Sequence, residues 1–142
     1  MKNFQHKQAG ATLITWMIGI AVGILIMSAG LKIGPSYLEY YSVRSFMNGI
    51  AAEHGIENKN RREIMAKVER YLNVNGMDGL SKAYYEGRRG QSGKKQPFNI
   101  VKLKKGNKRE LTVEYEVVKP WLGNISFLLS HKYAVELGTP NK

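Results

Sequence analysis

Cysteine is missing from this sequence of 142 residues, so disulfide frameworks, thiolate zinc sites, thiol nucleophiles and dithiol redox centres are excluded together. Histidine is nearly as scarce. His6, His54 and His131 stand far apart, lack cysteine companions, and form no recognisable metal-ligand set. Acidic side chains number 11 against 22 Lys and Arg, and the resulting net charge of +11 favours an anionic partner: nucleic acid, lipid headgroups or an acidic protein face. Complete catalytic motifs are lacking too. Gly79-Leu80-Ser81-Lys82 and Gly90-Gln91-Ser92-Gly93 fall short of a P-loop and of a nucleophile elbow. Glu114 and Glu116 project from the polar side of a strand among basic neighbours, where solvated ion pairs suit them better than acid–base catalysis. The chain therefore reads as non-enzymatic, with no metal and no cofactor expected.

Charge is itself absent from one long stretch. The 24 residues from Gln8 to Leu31 carry no ionisable side chain, and the run from Ala11 to Met27 is apolar on every helical face. As a helix these 24 residues extend about 36 Å, against a hydrocarbon core of about 30 Å. A core helix that is hydrophobic all round needs a large protein around it, and the remaining residues are too few to cover it. The run also exceeds the apolar core of a cleaved secretory signal, and Ser28-Ala29-Gly30 is a poor cleavage site. The organisation expected is a basic leader over 1–10, a transmembrane helix over 11–33 and a soluble domain over 34–142. Positive charge barely orients the span, because Lys2 and Lys7 flank one end and Lys32 and Arg44 the other. Within the span, Thr15, Gly19 and Gly23 share one face at small-xxx-small spacing, which admits close approach of a second helix. Trp16 sits inside the run, while Tyr37, Tyr40 and Tyr41 follow it as interface markers, with a core role equally open to Tyr40.

The soluble part predicts an α+β fold. Gly34-Pro35 is expected to kink or restart the first helix. Beyond it Tyr40, Val43, Met47 and Ile50 recur at helical spacing up to Glu53, with Phe46 beside them. Asn60-Arg61-Arg62-Glu63 reads as a capping box that opens a second helix, with Ile64, Val68, Tyr71 and Leu72 on one side and Asn73 to Gly79 closing it. Glu86 to Lys95 is a glycine-rich basic loop. Phe98 to Lys104 is a weak strand. Leu111, Val113, Tyr115 and Val117 alternate with polar residues in a second strand, and Ile125 to Leu137 alternate in a third, with Pro120 to Asn124 as the connection. The economical arrangement is two helices packed on a three-stranded antiparallel β-meander. His131, sharing a strand face with Phe127 and Tyr133, is expected in the core or at its rim.

Lys7-Gln8-Ala9-Gly10-Ala11-Thr12-Leu13-Ile14-Thr15 resembles the start of a type IV prepilin or pseudopilin, which implies cleavage after Gly10 and N-methylation of Ala11. The long helix on a sheet is pilin-like as well. Two positions depart from that pattern: Ala11 replaces Phe or Met, and Thr15 replaces the glutamate that docks a subunit into its filament. Gly10-Ala-Thr-Leu-Ile14, Leu31-Lys-Ile-Gly-Pro-Ser-Tyr-Leu-Glu-Tyr-Tyr-Ser-Val43 and Tyr115-Glu-Val-Val-Lys-Pro-Trp-Leu-Gly-Asn-Ile-Ser126 are similar to the DUF4845 family of proteobacterial membrane proteins. That resemblance implies a bacterial inner-membrane protein with a cytoplasmic amino terminus and a periplasmic domain, and it brings no catalytic residue.

These readings converge on an accessory or assembly subunit of a larger membrane complex, respiratory or secretory, whose partners are other inner-membrane proteins met through the transmembrane helix. A minor pilin processed after Gly10 is the alternative. A third possibility rests on the basic surface of Arg88, Arg89, Lys94, Lys95, Lys102, Lys104 and Lys105, with Lys108 and Arg109 beyond. That surface suits anionic lipid headgroups, or nucleic acid if the domain is cytoplasmic. Nucleic acid is disfavoured because stacking aromatics are not interleaved with these residues.

Overall fold

In a computed structural model the described residues are 9–75, 77–90, 95–104, 106 and 108–138. Helix α1 runs Ala9–Ala51, a single 3₁₀ turn covers Ile56–Asn58, and helices α2 (Arg61–Asn75) and α3 (Asp78–Arg88) follow. Strands β1 (Phe98–Lys102), β2 (Arg109–Leu122) and β3 (Ile125–Glu136) form one antiparallel sheet in the order β1-β2-β3. This is the expected α+β class, with helices on a three-stranded meander.

Three local expectations change. The first helix does not restart at Gly34-Pro35, because α1 continues through Pro35 for 43 residues, about 65 Å. Proline costs one intrahelical hydrogen bond and normally crowds the residue before it. Gly34 has no Cβ to be crowded, so helical geometry survives there. The second change is α3, which begins inside the segment read as closing the preceding helix. Its glycines obscured it. Gly79 stands where α3 crosses β2 and α1: a Cβ there would lie 3.0 Å from Val117 Cγ2 and 3.2 Å from a Glu39 carboxylate oxygen. The third is the second strand, which passes through Pro120 to Leu122 with a register irregularity between those two residues. The turn between β2 and β3 shrinks to Gly123 and Asn124, with Gly123 at the positive φ (54°) that glycine tolerates.

The core lies between the carboxyl-terminal half of α1 and the sheet. Val43, Met47 and Ile50 of α1, Ile64, Val68 and Leu72 of α2, Leu80 and Tyr84 of α3, and Phe98, Leu111, Val113, Tyr115 and Val117 of the sheet are all buried. Tyr71 of α2 stacks on Phe46 of α1, ring centroids 3.6 Å apart, and its hydroxyl donates to the Ser42 carbonyl at 3.2 Å. Asn60 holds the residue before α2, its carbonyl accepting the amides of Glu63 and Ile64. On α3, the first-turn amide of Leu80 donates to Glu39 Oε1 at 2.7 Å, so a carboxylate on α1 satisfies an otherwise orphaned helix donor.

Candidate functional site

Two regions carry features that packing alone does not explain: the amino-terminal half of α1, and the strip along which the β2–β3 hairpin lies against the rest of that helix.

The first region is one helix long and apolar enough to cross a membrane, and none of its most hydrophobic window is buried. Leu13, Ile14, Trp16, Ile18, Ile24, Ile26 and Met27 all face outward. Full burial of one such side chain stabilises by about 1.5–3 kcal/mol, so a run of this length calls for an apolar solvent or a protein partner. Gly19 and Gly23 have nothing within 4 Å of where a Cβ would sit, and with Thr15 they form a shallow stripe on that helix. Gly10 and Ala11 fall in the first turn of its backbone, while residues 1–8 of the leader lie outside the described residues.

The second region is a ladder of contacts. The hairpin descends α1 from its carboxyl end: Gly138 N–H donates to Ala51 O (2.9 Å), the Tyr133 hydroxyl to Asn48 Oδ1 (2.8 Å), the Tyr40 hydroxyl to Lys132 O (3.2 Å) and Trp121 Nε1–H to Ser28 Oγ (3.2 Å). From Ala51 to Ser28 is 23 residues, about 34 Å of helix. Midway sits His131. Tyr40 stacks on it at 4.9 Å, Tyr37 meets it edge-on at 5.8 Å and Tyr115 lies tilted at 5.3 Å. Burial pushes the His131 imidazole down from 6.5, opposed by the charge of Glu39, and burial pushes the Tyr115 phenol up. His131 Nε2, the Tyr115 hydroxyl and the Ser36 hydroxyl are buried without a hydrogen-bond partner among the described residues. His131 is thus buried at the core, and Tyr40 is half-buried against it while Tyr37 and Tyr41 stay exposed.

The basic surface disperses. Arg88 pairs with Glu69 at 2.8 Å and Lys108 pairs with Glu136. Arg109 turns inward, its guanidinium donating to the carbonyls of Ile56, Glu57 and Lys59, and so fastens the 3₁₀ turn to β2. Lys95 lines an open groove between α3 and β2 that also holds Glu86, Glu114 and Glu116, so acids answer the base there. Arg89, Lys102 and Lys104 remain exposed, with Lys102 about 14 Å along β1 from Phe98. Lys94 and Lys105 lie outside the described residues. Glu114 pairs with Lys132 across the strands at 3.5 Å.

Sequence reasoning missed the hairpin end. Its signal was there: no acid occurs between Glu116 and Glu136, and Val118, Leu122 and Leu128 break the polar half of the alternation.

Fold and site together define an α+β domain grown from the end of a long apolar helix. Residues 32–93, from Lys32 to just beyond α3, match the family described as Domain of unknown function (DUF4845). No curated protein and no solved structure matches the chain.

Proposed function

We propose that this is a single-span inner-membrane protein of a Gram-negative bacterium, non-enzymatic, with its domain in the periplasm, acting as an accessory or assembly subunit of a larger membrane complex. One observation carries the reading: the apolar half of α1 is continuous with the half that forms the core of the domain, so whatever the anchor docks against fixes the domain as a rigid extension. The Thr15-Gly19-Gly23 stripe is the docking face, where two helix backbones approach closely. The test is co-purification in mild detergent. Gly19→Leu combined with Gly23→Leu is expected to release the partners that the wild type retains, because leucine at both positions fills the stripe. Unchanged partners, or a wild type that is only monomeric, contradict the proposal. A reporter enzyme fused after Lys142 and active only in the periplasm tests the orientation, and activity in the cytoplasm would return the basic surface to nucleic acid.

A minor pilin is the second reading, favoured by the leader and by a long helix laid on an antiparallel sheet. The intact mass of protein taken from its native membrane separates the two. Loss of Met1 to Gly10 with one added methyl group supports the pilin, and an intact leader supports the permanent subunit.

A further inference from the structure

We propose that the end of the β2–β3 hairpin, Val118 to Leu128, is a second membrane-seated element, lying beside α1 at the boundary between lipid headgroups and acyl chains. The inference rests on the reading that α1 spans a bilayer, and it adds a lipid-facing surface supplied by the soluble domain itself.

Depth is the first argument. Trp121 hydrogen-bonds Ser28, and Ser28 lies three residues, about 4.5 Å, inside the last residue of the uncharged run, Leu31. Because that run exceeds the hydrocarbon thickness by about 6 Å, a centred span puts Ser28 near the hydrocarbon boundary. The hairpin end therefore reaches the membrane with no movement of the domain.

Composition is the second, and it changes at the level where depth requires it. Higher up, the outward side of the hairpin is charged: Glu114 faces Lys132 and Glu116 faces Ser130. Lower down, the outward rungs are Val118 opposite Leu128 and Pro120 opposite Ser126, and past the register irregularity Leu122 pairs with Ile125. Val118 is 61% exposed, Leu122 47%, Ile125 55% and Leu128 62%. The inward side carries Phe127 and Leu129, so apart from Lys119 opposite Phe127 and Ser126 opposite Pro120 the lower third of the hairpin is apolar on both sides. A water-facing strand keeps one polar side, and an element entering lipid does not. Lys119 and Lys32 supply the cations suited to headgroup phosphates, and no acid occurs between Glu116 and Glu136.

The third argument concerns polar groups. Trp121 packs its ring on Phe127, centroids 5.2 Å apart, while its N–H is satisfied by Ser28, which is how tryptophan serves at a membrane interface. The Glu114 amide points to β1, donating to Pro97 O at 2.8 Å. By the period of two, positions 116, 118 and 120 direct their amides to the same side, where β1 has ended. Proline at 120 has no amide to leave unpaired, so the edge carries one orphan donor fewer as it nears lipid.

The native absence of cysteine makes the test clean. The full chain is reconstituted in phosphatidylcholine–phosphatidylglycerol vesicles with one environment-sensitive fluorophore at Ile125→Cys, Ile24→Cys or Thr112→Cys, and is probed with lipids carrying a spin-label quencher near the headgroup or near the chain terminus. Expected at Ile125 is a blue-shifted emission lost chiefly to the shallow quencher; at Ile24, emission lost chiefly to the deep one; at Thr112, no quenching. Trp121 in a Trp16→Phe background, which needs no label, is expected to follow Ile125. Quenching at Ile24 with none at Ile125 or Trp121 overturns the hairpin proposal and leaves the span standing. Ile125 shielded from aqueous iodide yet untouched by lipid quenchers assigns the surface to a protein partner and also overturns it. Quenching at neither Ile24 nor Ile125 removes the span, and the proposal with it.

Discussion

Helix α1 and the β2–β3 hairpin each have two halves, and they change character at the same level. In α1 the residues up to Leu31 are apolar all round and none of the most hydrophobic window is buried, whereas from Ser36 onward one face, Val43, Met47 and Ile50, is buried and the other carries Arg44 and Ser45 in the open. In the hairpin the half beside the later part of α1 alternates apolar and charged, and the half that reaches Ser28 loses the acids, keeping Lys119 as its one charge. On the proposed membrane-spanning reading, a single helix is matched to two solvents. Its periodicity, more than its hydrophobicity, reports which one: the 3.6-residue rhythm is a response to water on one side and vanishes where there is none.

The largest effect that sharpens this contrast comes from truncating equivalent apolar residues in the two halves. Met47→Ala is expected to lower the unfolding free energy of the domain by about 2–5 kcal/mol, since Met47 is fully buried. Ile24→Ala is expected to change it by less than about 0.5 kcal/mol, because Ile24 touches no domain core. Denaturant melts in detergent, followed by near-ultraviolet circular dichroism, compare them. Equal losses would mean that the apolar half also packs on the domain.

Next in size is Glu39→Ala, which strips the partner from the Leu80 amide at the start of α3 and is expected to cost about 0.5–2 kcal/mol in the same melts. A cost near zero would show that α3 holds its position through Gly79 and Leu80 packing alone. The smallest effect concerns acid. The folded chain holds the His131 imidazole below 6.5 by burial, while the unfolded chain protonates it near that value, so more protons are bound on unfolding. Stability is then whole above pH 6.5 and falls as pH drops through the window beneath it. Glu39 and the rings of Tyr37, Tyr40 and Tyr115 face this group, and of these only Glu39 favours the charged form. Urea midpoints at about pH 8 and about pH 5.5 should differ in the wild type, and His131→Phe should narrow the difference. An unaltered difference would place the acid sensitivity elsewhere.

Much of the architecture was legible in residue spacing. Alternation exposed both long strands, and the rhythm of Val43, Met47 and Ile50 exposed the packed face of α1, because each half-buried element writes its period into the chain. Glycine and proline misled in three places for one reason: each was read as a local breaker where tertiary context had another use for it. Gly34 relieves Pro35, Gly79 lets α3 lie against Val117, and Pro120 occupies an open strand edge. The basic surface misled differently, since sequence adjacency says nothing of partners. Arg109, which appeared to extend that surface, is spent on three backbone carbonyls, and Arg88 on Glu69. The hairpin end was legible only in retrospect. Its exposed valine and leucines look like an ordinary strand until the Trp121–Ser28 contact sets their depth.

The most direct test of the two-solvent helix is thiol accessibility along α1 in native membranes. Single substitutions Ile20→Cys, Ile24→Cys, Tyr41→Cys and Ser45→Cys all fall at positions exposed in the structure, so burial within the chain does not distinguish them. With a membrane-impermeant maleimide on broken membranes, the account predicts rapid labelling at positions 41 and 45 and none at 20 and 24 until detergent or denaturant is added. Equal labelling at all four would show that the apolar half of α1 lies in water, and the membrane-spanning reading would be wrong.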